Sequence, residues 1–253
     1  VTAAGITDST QISALNTLVT DLKTYGLWTK MKALYPFVGG SAASHKFNLK
    51  DPRDLDAAYR LVFNGGWVHS STGALPNGTT AFADTKLNAT ILTKSSTHLS
   101  FYSKTNNPTI ASTGRVDIGC QIGALTSMFM GISDYGGYNV SMYVNSGNYI
   151  SSTNPTDTRG FMLSTVQSLT SLKSFWYQSG GSFTQKGSTI TTVSGDLPNN
   201  NIYISRNGSS TSSYEFSNRE SVFASIGDGL TDTEASNFYI SVQKFQTTLG
   251  RHV

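Results

Sequence analysis

A period of two runs through most of this chain. Val116, Ile118, Cys120 and Ile122 are apolar, and Asp117, Gly119 and Gln121 lie between them. Met128, Met130 and Ile132 repeat the pattern, as do Val140, Met142 and Val144, then Phe161 with Leu163, Phe175 with Tyr177, and Ile202 with Ile204. Val222, Ala224 and Ile226 close the series, and Leu99 and Phe101 share a phase earlier in the chain. Successive strand side chains point to opposite faces, so alternation marks a strand with one buried face and one wet face. Glycine, asparagine and proline punctuate most of the gaps. Many short strands divided by turn signals imply a sandwich or barrel, and no repeat of solenoid or propeller length interrupts them. The expectation is an all-β fold, a single antiparallel β-sandwich of jelly-roll type, and 253 residues suffice for its core.

The two ends follow a different period. Asp8-Ser-Thr-Gln11 reads as a capping box, with Asp8 accepting from the first turn and Gln11 reaching back. Ile12, Leu15, Val19 and Leu22 follow at helical spacing up to Gly26. This predicts a helix over residues 1–26 that packs on the body or tethers neighbouring subunits, with the sandwich in residues 27–253. Thr231-Asp-Thr-Glu234 is a second capping box. Ala235, Phe238, Val242, Phe245 and Leu249 then form an apolar seam. Two heptads are short for a coiled coil, so this C-terminal helix is expected to pack against the sandwich.

Charged residues make up only 13% of the chain, against a usual share of about a quarter. The formal net charge of +3 is scattered, and no stripe of lysine or arginine marks a nucleic-acid partner. One cysteine, Cys120, excludes an intrachain disulfide. No apolar run approaches the roughly 18 residues of a membrane span, so membrane insertion is not expected. The opening Val1-Thr-Ala-Ala-Gly lacks the pattern of a signal peptide.

Leu27 to Tyr35 reads as a strand. Asp51-Pro52-Arg53-Asp54 reads as a helix start with an aspartate cap and proline at the first position. The alternative reading of Asp51, Asp54 and Asp56 is a calcium loop, and calcium is the one cofactor the sequence raises. Tyr59, Leu61 and Phe63 alternate up to Asn64-Gly65-Gly66, a hairpin-like turn. Leu75-Pro-Asn-Gly78 is another turn signal.

Several phrases resemble a laminin-G or concanavalin A-like sandwich domain. They are Leu172-Lys-Ser-Phe-Trp-Tyr-Gln-Ser-Gly-Gly181, Asn201-Ile-Tyr-Ile-Ser-Arg-Asn207 and the closing Ser221–Ala235 strand, turn and helix start. The asparagine-glycine usual in the first phrase is replaced by Ser179-Gly180-Gly181. Thr24–Gly40, His45–Pro52, Leu75–Gly78 and Leu99–Lys104 are similar to a family of tailed-bacteriophage virion proteins, which includes tail-fibre, spike and capsid-attached proteins. These are packing and turn motifs. The resemblance implies a virion protein assembled in the host cytoplasm, with other virion subunits as partners and homo-oligomerisation.

Catalytic patterns are sparse. Paired carboxylates for glycoside hydrolysis stand about 5 to 10 Å apart. The three glutamates do not supply them: Glu215 and Glu220 fall in opposite strand phases, and Glu234 is engaged in capping. Asp117 with Asp134 is the remaining dyad. His45, His69, His98 and His252 are far apart in sequence and lack ligand spacing, which reads as surface or satisfied histidines. Cys120 sits in the apolar phase of its strand and reads as a buried, inert thiol. No glycine-rich phosphate loop is visible. Sugars stack on aromatic rings and bond amides and carboxylates, so aromatic loops carry the functional expectation. Ser133–Asn139 reads as a loop exposing Tyr135 and Tyr138, with Asn148 and Tyr149 in the next loop. Trp67 and Trp176 fall on or beside strand faces opposite the apolar phase. The bland reading of these residues is a sandwich edge or subunit interface. The expected function is a non-enzymatic virion component with a lectin-like surface for host glycans. The alternatives are pure assembly or decoration, and a polysaccharide depolymerase.

Overall fold

The computed structural model describes residues 1–253 except 108–114, 124–125, 135–136, 143–148, 154 and 209–214, and only the backbone of strand residues 133–134, 137–142, 149, 151–153 and 215. The first elements are α1 (Ser9–Thr24), β1 (Met31–Tyr35), α2 (Ala42–His45), β2 (Val62–Asn64), β3 (Trp67–His69), β4 (Ala74–Pro76), β5 (Phe82–Asn88) and β6 (Thr97–Ser103). Then come β7 (Arg115–Val116), β8 (Ile118–Ile122), β9 (Thr126–Asp134), β10 (Gly137–Met142), β11 (Tyr149–Thr153) and β12 (Gly160–Ser168). The rest are β13 (Ser171–Gln178), β14 (Phe183–Ile190), β15 (Asn201–Ile204), β16 (Glu215–Phe216), β17 (Ser221–Gly227) and α3 (Asp232–Thr248).

The strands form two antiparallel sheets. The first has the order β14-β13-β12-β6-β17-β4-β3, with β1 also paired to β17. The second has the order β11-β10-β9-β8-β15-β5-β2. β7 and β16 make a short parallel pair beside them. This is an antiparallel β-sandwich with flanking N- and C-terminal helices.

Between the sheets lies a core that includes Leu99, Phe101, Ile118, Cys120, Met128, Met130, Met162, Ile202, Ile204 and Ile226. A second core lies between the first sheet and the helices. Leu15, Leu18 and Leu22 of α1 and Phe238, Val242 and Phe245 of α3 meet Tyr102, Phe161, Leu163, Phe175 and Phe223 there. The first sheet is therefore buried on both faces, and every residue of β6 and β17 is buried. The seam of α3 is spent on this packing, not on a coiled coil.

Local chemistry explains the helix ends. Asp8 accepts from the Gln11 amide at 2.8 Å, and Thr231 and Glu234 form a full capping box. Gln11 does not reach back to Asp8. Its Oε1 accepts instead from the Gly39 amide and ties α1 to the loop after β1. The buried stripe of α1 is Ala14, Leu15, Leu18 and Leu22, and Val19 is only half-buried. Beyond α3, the buried Arg251 donates to the carbonyls of Pro36, Phe37, Thr72 and Val222 and to Gln246 Oε1. Burial pushes its pKa down to about 9.

The structure departs from the pattern reading at further places. Trp28–Lys30 is a single 3-10 turn, so β1 starts only at Met31. Asp51–Asp54 starts no helix: Asp51 bridges to Asn48, and a single 3-10 turn follows at Asp56–Ala58. Asn64-Gly65-Gly66 is not a hairpin. β2 pairs with β5 and β3 with β4, so the turn carries the chain from one sheet to the other. Gly65 has φ 73°, and a Cβ there would stand 2.3 Å from the Thr80 carbonyl oxygen, which only glycine allows. A bulge between Ser221 and Phe223 moves Val222 to the helix side, while Ala224 and Ile226 face the inter-sheet core. Finally, Tyr138 and Tyr149 are strand residues, because the β9–β10 pairing runs out to Asp134 opposite Gly137.

Candidate functional site

With the helices covering one sheet, the outer face of the other is left to meet a ligand. Ala83, Thr85 and Leu87 of β5 are fully buried, so Phe82, Asp84, Lys86 and Asn88 point outward and are half-buried. On β15, Ile202 and Ile204 face the core, and Asn201 and Tyr203 face out beside them.

These neighbours form one polar and aromatic cluster. Asn201 Nδ2 donates to both Asp84 carboxylate oxygens, at 3.0 and 3.3 Å. Lys86 Nζ lies 3.1 Å from the same carboxylate, and the Lys86 amide donates to Asp84 Oδ1 at 2.8 Å. Lys86 has φ 59°, a left-handed conformation in mid-strand, and the pairing of β15 with β5 slips between Asn201 and Tyr203. Bulges and strained non-glycine residues of this kind re-aim side chains and recur at functional sites. Tyr203 sits opposite Asp84 in the register. Burial, then the Asp84 charge, raises the Tyr203 pKa, so its hydroxyl remains a neutral donor. It donates to Asn200 Oδ1 at 3.4 Å. Gly208, at φ 70°, lies over the ring; a Cβ there would come within 2.2 Å of it.

An aromatic row extends from this point. The Phe82 ring meets Tyr203 edge-on at 5.8 Å and Phe216 at 6.3 Å, and the Arg206 guanidinium lies 4.9 Å from the centre of Phe82. Amides pack against one another on the other side, where Gln121 and Asn207 are buried. Asn200 Nδ2 donates to the Gln121 carbonyl, and Asn207 Nδ2 donates to Gln121 Oε1 at 2.7 Å. Rings for stacking, with a carboxylate and amides for hydroxyls, are what a sugar-sized polar ligand needs.

The residues expected from sequence are distributed differently. Tyr135 and Asn148 lie outside the described residues. Tyr138 stands in β10 opposite Ser152, and Tyr149 in β11 opposite Ser141. Trp67 is half-buried; its Nε1 donates to the Asn64 and Phe82 carbonyls, and its ring meets Phe63 at 5.3 Å. Trp176 is buried in the inter-sheet core, at 2% exposure. The apolar phase of β13, Phe175 and Tyr177, faces the helices, so the opposite phase faces the other sheet and not solvent.

The acidic and histidine candidates are committed to the fold. Asp117 is fully buried. Its Oδ2 accepts from the Ile132 amide at 2.8 Å, and its Oδ1 accepts from Ser217 and from Arg219 at 3.3 Å. The Asp134 side chain lies outside the described set. Asp51 meets Arg53, Asp54 meets Lys46 and Arg60, and Asp56 meets Arg60, so protein cations stand where the calcium reading places an ion. His45 and His69, distant in sequence, meet at 2.9 Å between their Nδ1 atoms. The Gly40 amide donates to His45 Nε2, which leaves the proton on His45 Nδ1, donating to His69. Burial, then His69 and Arg251, lowers the His45 pKa to about 3. Cys120 is fully buried, and burial pushes its thiol pKa up. No helix among the described residues is long and apolar enough to cross a membrane.

The face built by Asp84, Asn201 and Tyr203 was not among the sequence candidates. Its only trace there is the outward phase of two strands, Asp84 and Lys86 on one and Asn201 and Tyr203 on the other.

No protein-family model matches the chain, and no curated protein matches it. Among solved structures it is similar to a Trypanosoma rangeli sialidase in complex with 2,3-difluorosialic acid, at 11% identity and TM-score 0.49, over 75% of this chain and 30% of that one. It is also similar to the VIP36 exoplasmic/lumenal domain in its Ca2+/Man2-bound form, at 10% identity and TM-score 0.44, covering 79% and 89% of the two chains. Peanut lectin is a third, at 12% identity and TM-score 0.32, covering 68% and 92%. The chain thus spans less than a third of the length of the sialidase it matches.

Proposed function

We propose that this domain is a lectin-like module that holds a carbohydrate on the outer face of its second sheet. The observation that carries the reading is the Asp84–Asn201–Tyr203 cluster, built around a strained bulge and beside a row of rings. Asp84 accepts sugar hydroxyls, Asn201 offers amide groups, and Tyr203 gives a ring for the C–H face of a pyranose. In keeping with the phage-like sequence motifs, the module belongs on a virion, where it recognises host-surface glycans. It acts by binding and not by hydrolysis.

The test is a glycan array of bacterial envelope saccharides probed with the protein. Tyr203→Ala and Asn201→Ala should each weaken binding at least tenfold while leaving the circular dichroism spectrum intact. Binding to no envelope glycan, or binding unchanged in both variants, refutes the reading.

One observation favours assembly as a second reading. Val68 and Leu75 are cross-strand neighbours on the β3–β4 edge, and they are 64% and 39% exposed. An apolar pair beside a sheet edge suits contact between subunits. A monomeric mass by light scattering at high concentration, unchanged by Val68→Lys, counts against it.

A further inference from the structure

Charge is scarce in this molecule, and most of it is neutralised in place. Lys30 meets Glu234 at 2.6 Å, Lys32 meets Asp228 at 3.4 Å, and Lys244 meets Asp21 at 2.9 Å. Lys23 and Lys50 differ. Neither has a carboxylate within ion-pair distance among the described residues, yet both ammonium groups gather on one ring. Lys50 Nζ lies 4.4 Å and Lys23 Nζ 5.8 Å from the centre of the Trp28 ring. Trp28 opens the 3-10 turn between α1 and β1 and packs against the helix-side core.

Two segments far apart in sequence are brought to that ring. Lys23 comes from the last turn of α1, where a cation complements the helix dipole. That role explains Lys23 but not Lys50, which follows the Asn48 turn and is anchored by a 2.5 Å bond to the Trp28 carbonyl. Lys50 is held in place at some cost. Burial lowers its pKa, and the neighbouring Lys32 and Lys23 lower it further. Cation–π contact offsets part of that repulsion, and a bound anion would offset it more directly. The facing charges are Lys30 with Glu234 and Lys32 with Asp228, both already paired. The local excess is therefore positive.

We propose that Lys23, Lys50 and Trp28 form a binding site for a phosphoryl group. Two ammonium groups, each with donors to spare, suit a compact tetrahedral oxyanion with several acceptor oxygens. Planar carboxylates are better served by the fork of an arginine. The site lies on the helix-covered side of the molecule and is independent of the carbohydrate face on the second sheet.

The test uses the intact protein and inorganic phosphate, at constant ionic strength made up with sodium chloride. The Trp28 indole N–H resonance is followed by nuclear magnetic resonance. A saturable shift is expected, and Lys23→Gln combined with Lys50→Gln should weaken it at least tenfold. Lys104→Gln and Tyr203→Ala should leave it unchanged. Glycerol phosphate should reproduce the shift and glycerol should not. The proposal is overturned if the resonance does not saturate, if chloride alone produces the shift, or if the folded double variant responds like the parent. Loss of glycan binding with the phosphate response intact overturns only the carbohydrate reading.

Discussion

His98 gives the sharpest test of the folded structure. It is fully buried on the helix side of β6, edge-on to Phe238 at 5.8 Å. Its Nδ1 donates to the Asp228 carbonyl at 2.6 Å, so in the neutral ring Nε2 accepts from the Ser225 hydroxyl, which is itself 2.6 Å from the Ser100 hydroxyl. Burial lowers the His98 pKa from 6.5 to about 4. The unfolded chain therefore binds a proton that the folded chain refuses throughout that interval. The associated stability is complete above pH 6.5 and is lost as the pH falls towards 4. Linkage places the loss at roughly 2 kcal/mol between pH 7 and pH 5. His45, lowered to about 3, adds roughly as much over the same window. The sum, about 4 kcal/mol, is a large part of an ordinary folding free energy of about 5–15 kcal/mol. The paired carboxylates have their pKa values lowered from below 5, so they titrate under this window. Urea unfolding at pH 7 and pH 5 checks the claim. His98→Gln should lower stability at pH 7 but remove roughly 2 kcal/mol of the loss between the two pH values. An undiminished loss in the variant refutes the assignment.

Three further outcomes follow from the packing. Phe238→Ala empties a fully buried site against Phe161 and Phe223 and should cost about 3–5 kcal/mol in urea unfolding. Thr231→Ala removes the α3 cap and should cost about 1 kcal/mol, read as a lower thermal midpoint with an unchanged native spectrum. Cys120 should resist a thiol reagent such as dithionitrobenzoate in the native protein and react promptly in denaturant, because its thiol is both buried and held protonated; rapid native labelling would contradict the packing of β8.

Local signals survived folding where one interaction settles the conformation. The Thr231–Glu234 box formed as read, and Met128, Met130 and Ile132 share the core face their period assigns. Signals failed where tertiary context decides. The alternation in β13 is real, but with helices on one side and a sheet on the other both phases are buried, and Trp176 cannot be told from a surface tryptophan. Asn64-Gly65-Gly66 has hairpin composition, yet its glycine serves an approach to Thr80 that no local pattern records. The candidate site joins Asp84 to Asn201 and Tyr203 by strand pairing across more than a hundred residues, and the His45–His69 contact likewise arises only when α2 and β3 meet.

The position of β17 has a kinetic consequence. It lies inside the first sheet, between β6 and β4, and also pairs with β1. Strands 31–35 and 221–227 are thus obligate neighbours separated by about three quarters of the chain. A nascent polypeptide cannot complete that sheet, or bury α1 against α3, until residues near 250 have left the ribosome. Long-range pairings of this kind slow folding and prolong exposure of unpaired edges. Until then the helix-side faces of β6 and β12 lack the cover of α3, and this protein should depend on chaperones more than its size suggests.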